Sequence, residues 1–267
     1  MDDIEYNRQM EYDMMMDELL SMGADIDEYQ KTNTEDKKEI SALKNKIPKF
    51  PISTDERNMK NKRCDYSTYI IVTLFSKHTE GENHRYITED DMKKNKYKME
   101  DCGKVKFETL KRNIKKLSDL EGDLVVDKIT NGKLAYIINY ENKDKRKYVT
   151  VEEEILKRLA NDLKSSSIKV YMLLKYRCNT KNFTRIIKES INENIGLNSN
   201  SGKNKKEINK TLDLLRDMDL IEKYTKTEKI KNKNGKTVYT PITYVRLVSY
   251  EEYVKRRNEK KEKEKRN

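Results

Sequence analysis

Apolar positions in this chain change period several times. Phe107, Leu110, Ile114, Leu117 and Leu120 advance by three or four residues, the mark of one buried helical face. The stretch "VVDKITNGKLAYIINY", residues 125–140, follows as two strand-like runs around Asn131-Gly132. A two-residue type I′ turn needs positive φ at both central positions, which Asn tolerates and Gly adopts freely, so a hairpin is expected there. Ahead of the helix lie "YSTYIIVTLFSKHT", dense enough for a buried helix, and "ITEDDMKKNKYKM", in which Thr88 and Asp91 have the spacing of a capping box.

The order then returns. A connecting helix is expected over "VTVEEEILKRLANDL", with Thr150 and Glu153 again in capping-box register. The segments "SSSIKVYMLLKYRC", "FTRIIKESINENIGL" and "KNKKEINKTLDLLRDMDL" read as three helices, the last with Ile208, Leu212, Leu215 and Met218 on its inner face. Strands are expected in "IEKYTKTEKI" and "TVYTPITYVRLV" around a turn at "KNKNGK". Ile114, Leu117 and Leu120 align with Leu212, Leu215 and Met218 at a constant offset of 98, so the chain reads as an internal duplication.

The expected boundaries are 1–62 for an acidic amphipathic helix and polar tether, 63–147 and 148–250 for the two repeats, and 251–267 for a charged tail, read as a fraying helix or as disordered. Met10, Met14, Met15, Leu19 and Met22 form the apolar face of the first helix, Gly23 its stop signal, and two of the three prolines lie in the tether.

Three helices followed by a hairpin is the order of a winged helix, in which the last helix faces the major groove and the hairpin becomes a wing. The expected fold class is therefore α+β, mainly α: two winged helix-turn-helix domains joined by a helix, with an N-terminal acidic helix. Residues 148–225 carry a further likeness. There "SSIKVYMLLKYRCN", "FTRIIKESINENIGLN" and "NKKEINKTLDLLRDMDLIEKY" resemble winged-helix proteins of plasmids and phages of low-GC Gram-positive bacteria, particularly replication initiators and replisome organisers. Asp219-Leu220-Ile221 stands where that family often has Gly-Leu-Ile. The resemblance implies a sequence-specific double-stranded DNA-binding protein of a mobile element, acting at origin repeats.

Charge agrees with a nucleic-acid partner. Lys and Arg outnumber Asp and Glu by 58 to 47, and residues 1–30 hold ten carboxylates against Arg8, a net −9 that leaves +20 on the rest. Lys203, Lys205, Lys206, Asn209 and Lys210 lie off the apolar stripe at the start of the third helix of the second repeat, and Lys231, Lys233 and Lys236 at its wing tip. The equivalent set in the first repeat is Lys104, Lys106, Lys111 and Arg112, with Lys128 and Lys133 on a shorter, less charged wing. Lysine mostly serves phosphate, whereas the carboxamide of Asn209 suits paired hydrogen bonds to adenine. The second repeat is expected to bind more tightly.

Signals for chemistry are sparse. Gly235-Lys236-Thr237 ends like a phosphate-binding loop, but Ile230 stands where the required upstream glycine belongs. His78 and His84 are too far apart for a His-x-His metal pair, and Glu89-Asp90-Asp91 and Glu152-Glu153-Glu154 are explained by the first turns of helices. Cys64, Cys102 and Cys178 are odd in number and widely spaced, which favours reduced thiols over disulfides or zinc. No enzyme activity, cofactor or metal is expected, and with no apolar run long enough to span a bilayer and no signal peptide, a cytoplasmic protein is. Two alternatives stay open: a transcriptional repressor with winged helices, and an interaction protein that docks a partner or self-associates through residues 1–30.

Overall fold

In a computed structural model, residues 47–78, 84–120, 124–130, 132–140, 148–231 and 237–266 are described. The expected N-terminal acidic helix, Asn131, and the turn residues 232–236 with Lys233, Gly235 and Lys236 lie outside them. The architecture is mixed α+β. Strand β1 (Lys49–Ser53) and helix α1 (Glu56–Lys60) precede two similar sets of elements. The first is α2 (Tyr66–Phe75), β2 (Lys77–His78), β3 (His84–Thr88), α3 (Glu89–Lys94), α4 (Lys96–Gly103), α5 (Phe107–Ser118), β4 (Val125–Thr130) and β5 (Lys133–Asn139). Then come β6 (Tyr148–Glu152) and α6 (Glu153–Asp162). The second set is α7 (Ser165–Arg177), β7 (Thr184–Ile186), α8 (Lys188–Asn194), α9 (Gly202–Asp217), β8 (Ile221–Lys231) and β9 (Thr237–Leu247), and α10 (Tyr250–Arg266) closes the chain.

Two of the three sheets among the described residues share the order of three strands, the first with β2 added at its edge. The first has the order β2-β3-β5-β4 and the second β7-β9-β8, so in each the strand ahead of the helices joins the last strand, which is flanked by its own hairpin partner. Thr130 pairs with Lys133, which leaves two connecting residues, and Gly132 has the φ of 72° that such a turn requires. The repeat extends to the core: Leu110, Ile114 and Leu117 of α5, and Ile208, Leu212 and Leu215 of α9, are all essentially inaccessible to solvent at the same offset of 98.

Helix α2 is buried over Tyr66 and Thr68–Thr73, a stretch apolar or small all round, and α7 is buried over Ser167–Leu174, where Lys169 is the one charged residue, which puts both at the centre of the molecule. One hydrophobic cluster runs from Phe50 to Tyr253, and the chain from Lys49 onward is one compact unit. Polar contacts also join the sets. Tyr66 N donates to Ser165 Oγ at 2.8 Å, and the buried Lys169 donates to the Asn61 carbonyl at 2.7 Å beneath the Tyr66 ring. Gly196, at φ 73°, sits so close to Lys60 that a Cβ would lie 1.9 Å from its carbonyl oxygen.

Several expectations are corrected. Residues 49–60 are not tether: Phe50, Ile52 and Met59 are buried, and β1 pairs antiparallel with β6, Lys49 opposite Glu152. That pairing also removes the expected cap at Thr150. Tyr148, Val149 and Val151 suit a strand, the ladder takes Thr150 with them, and α6 starts at Glu153 with no side-chain cap. The stretch expected as one helix over 183–197 begins as β7, paired to β9, and only then becomes α8. Of the two readings of the charged tail, the helical one holds from Tyr250, and the burial of Tyr253 is what was not expected. The capping box at Thr88 does form, with Asp91 N donating to Thr88 Oγ1 at 3.0 Å.

Candidate nucleic-acid interface

Helix α9 begins at Ser201, whose hydroxyl accepts from Asn204 N at 3.4 Å. Its buried stripe turns Ile208, Thr211, Leu212 and Leu215 inward, so helical geometry turns Lys203, Lys206 and Lys210 outward. All three are exposed and make no ion pair or hydrogen bond among the described residues. Asn209 is half-buried beside them, and its amide is likewise without a partner among the described residues. Lys205 differs: it reaches Glu189 of α8 at 2.7 Å, and that hydrogen bond holds the Glu189 carboxyl below its ordinary range.

Along α9 the outward charge changes sign. Asp213 binds Lys223 at 2.7 Å and Arg216 at 3.4 Å, and Asp217 also takes Arg216. Unpaired cations thus lie in the first half of α9, with Glu207, itself paired to Lys164, between Lys203 and Lys210, and the aligned peptide dipoles favour anions at the first turn.

The β8–β9 hairpin runs in register from Ile221 opposite Leu247 to Lys231 opposite Thr237. On its core side Thr243, Val245 and Leu247 are buried, whereas Thr237, Tyr239 and Pro241 are exposed. The outer six residues therefore project about 20 Å beyond the core at ~3.4 Å per residue. Lys229 lies opposite Tyr239 on this continuing face, and Lys226 on the other; both are exposed without a partner among the described residues. Neither was anticipated, although the alternation in "KTEKIK" already sets them on a strand. On the second face Tyr224 stacks on Tyr244 at 5.1 Å and meets Phe183 edge-on at 4.9 Å, while the Tyr244 hydroxyl donates to Glu228.

On the matching surface of the first set three of the cations are paired. Glu89 accepts from Lys111 at 2.9 Å, Asp90 from Lys133 at 2.6 Å and Asp91 from Lys77 at 2.8 Å. These hydrogen bonds lower the three carboxyls and raise the three ammonium groups. Lys104 caps α4 in the left-handed region at φ 50°, and Lys106 is the N-cap of α5, so neither lies on the helix that they were expected to open. They are exposed and unpaired among the described residues, as are Arg112 and Lys128. Lys115 and Lys116, also unpaired, extend the charge of Arg112 toward the end of α5; its first turn carries Glu108 instead.

The acidic run at 152–154 is spent on packing: Glu152 meets Lys175 at 3.4 Å, Glu153 meets Lys157 at 2.6 Å, and Glu154 meets Arg257. His78 lies 3.4 Å from the Tyr140 hydroxyl. Among the described residues no group of three or more His, Cys, Asp or Glu side chains is arranged to hold a metal ion, and no helix is long and apolar enough to cross a membrane. All three thiols are buried, and burial pushes Cys64 up to about 12 and Cys102 to about 11. No family model, curated protein or solved structure matches the chain.

Proposed function

We propose that the chain is a double-stranded DNA-binding protein built from two winged helix-turn-helix units, with the second carrying most of the contact. The observation that carries this reading is the coincidence of one topology, seen twice, with the unpaired Lys203, Lys206 and Lys210 on the outward first turns of α9. A recognition helix meets base edges through its N-terminal residues, and here cations, a free carboxamide and the helix N-terminus converge. The β8–β9 hairpin, with Lys226 and Lys229 and the sequence-adjacent Lys231, Lys233 and Lys236, is the wing that reaches along the phosphates. The likeness to plasmid and phage initiators makes origin repeats of a mobile element the proposed target, and regulation of a promoter by the same contacts is the alternative.

One specific observation supports a second role for the first unit. Its Lys111 and Lys133 are held by Glu89 and Asp90, which takes these two, though not the unpaired Arg112, Lys115 and Lys116, out of phosphate binding and leaves their part of the surface freer to meet protein. The deciding experiment is binding of the full chain to random and genomic duplexes over a salt series. A DNA-binding protein gives a linear fall of log K with log salt. No binding at low salt ends the proposal, and footprints on tandem direct repeats, rather than on a promoter palindrome, select the initiator reading.

A further inference from the structure

Between α1 and α2 the chain turns tightly at residues 61–64. Cys64 N donates to the Asn61 carbonyl at 3.1 Å, and Arg63 N to the Asn61 side-chain oxygen at 2.9 Å. Lys169 of α7, a buried residue, donates to the same Asn61 carbonyl at 2.7 Å. A buried ammonium is costly unless it finds an acceptor, so this contact ties the turn to the core. The two central residues, Lys62 and Arg63, are therefore held at a fixed place. Both are exposed, and neither side chain has an ion pair or hydrogen bond among the described residues.

The turn lies between the two helices that carry unpaired cations. On one side it lines a groove with Asp119 and Leu120 at the end of α5. Arg112, Lys116 and Leu120 are spaced four apart, so they form one row along α5 that leads to this groove. On the other side the Cys64 carbonyl accepts from Ser165 Oγ at 3.4 Å, and the neighbouring Lys164 pairs with Glu207 of α9. Lys203 and Lys210 stand four residues before Glu207 and three after it, on the same side of α9. Carboxylates oppose this path weakly. Glu207 is taken by Lys164, and Asp65 caps α2 by accepting from Ser67 N and Thr68 Oγ1, which leaves Asp119 without a cation partner among the described residues. A line of cations fits the evenly spaced phosphates of one nucleic-acid strand. We propose, on the DNA-binding reading, that Lys62 and Arg63 form a third phosphate contact, which carries one duplex backbone from α9 across the turn to α5.

The test is fluorescence anisotropy of the full chain on a labelled duplex over a salt series, with Lys62→Ala and Arg63→Ala combined. Neither residue has a positive φ and both side chains are exposed, so alanine fits the turn, and urea unfolding checks that stability is kept. Lys98→Ala with Lys255→Ala removes the same charge from exposed positions outside the path. Losing two phosphate contacts makes the slope of log K against log salt shallower by ~1.8 and weakens binding roughly 20–30-fold near ~0.15 M salt. The control pair is expected to keep the parent slope. If the parent binds and the change of Lys203, Lys206 and Lys210 to alanine weakens it, while the Lys62 and Arg63 pair loses no more than the control, the third contact is overturned and the α9 interface stands. Failure of the parent to bind at low salt removes both.

Discussion

Replacing Lys203, Lys206 and Lys210 together by alanine separates binding from folding. All three side chains are exposed and unpaired among the described residues, and alanine is the best helix former, so unfolding stability is expected to stay within ~0.5 kcal/mol of the parent. Binding responds differently. Each phosphate neutralised contributes about 0.9 to the slope of log K against log salt, so losing three contacts makes the slope shallower by ~2.7. Extrapolated from 1 M to ~0.15 M salt, the same relation gives ~0.7 log units per contact, or a loss of roughly 100–200-fold for three. Fluorescence anisotropy with a labelled duplex between roughly 0.05 and 0.4 M salt reads both quantities. Lys111→Ala with Lys133→Ala serves as the internal contrast, since those cations already spend their charge on Glu89 and Asp90. An unchanged slope in the triple variant, or an equal loss in the first-unit pair, refutes the assignment of the interface to α9.

Neutralising the opposing acids should do the reverse: Glu89→Gln with Asp90→Asn releases Lys111 and Lys133, and the salt slope is expected to steepen by up to ~1.8, read in the same anisotropy series. Asn209→Ala is expected to lower affinity for the specific duplex by ~1–3 kcal/mol while leaving random duplex nearly unchanged; equal losses on both remove it from base readout. Gly196→Ala combines a φ of 73° with a clash at the Lys60 carbonyl and should cost ~3 kcal/mol or more in urea unfolding, and a cost below ~1 kcal/mol contradicts the packing. The thiols give a pH signature. Cys64 has its folded pKa raised by burial, so its contribution to stability is complete below ~8.5, where the unfolded thiol is protonated, and is lost as pH rises from there toward about 12. At pH 8 its thiolate fraction in the native state is ~10⁻⁴, so Ellman's reagent should label the denatured chain far faster than the native one.

The long amphipathic helices were legible because their information is local. Leu110, Ile114 and Leu117 repeat the spacing of Ile208, Leu212 and Leu215, and all six are buried, whereas Leu120, aligned with the buried Met218, is only partly so. Short strands were not. Strands β3 and β7 are five and three residues long, their partners lie some fifty to sixty residues further on, and no period can establish itself over so few positions. Thr150 shows how a local signature loses to a distant one: the same Thr-x-x-acid spacing forms a cap at Thr88 but is overridden where Val149 and Val151 find a ladder partner in β1. At the interface, counting lysines could not separate Lys203 from Lys111, because what distinguishes them is a carboxylate twenty-two residues away, brought in by the fold.

On the proposed DNA-binding function, the fusion of the two repeats would change how tandem units engage a duplex. Two domains on a flexible tether gain through effective concentration and tolerate variable spacing between their sites. Here the join is a shared core, with Phe50 and Tyr253 in one cluster, Lys169 of α7 hydrogen-bonded to the segment before α2, and Gly196 tight against Lys60. Helices α5 and α9 are therefore held in a fixed relation, and any target that both touch must have a fixed spacing. On the proposed function, charge acts on top of that geometry: the unpaired Lys203, Lys206 and Lys210 of α9 would anchor the chain, while the self-paired Lys111 and Lys133 would leave phosphate contact in the first unit to its remaining cations, Arg112, Lys115 and Lys116 among them. A chain anchored as proposed through α9, with α5 rigidly placed beside it, would discriminate between targets by the fixed geometry of its second contact.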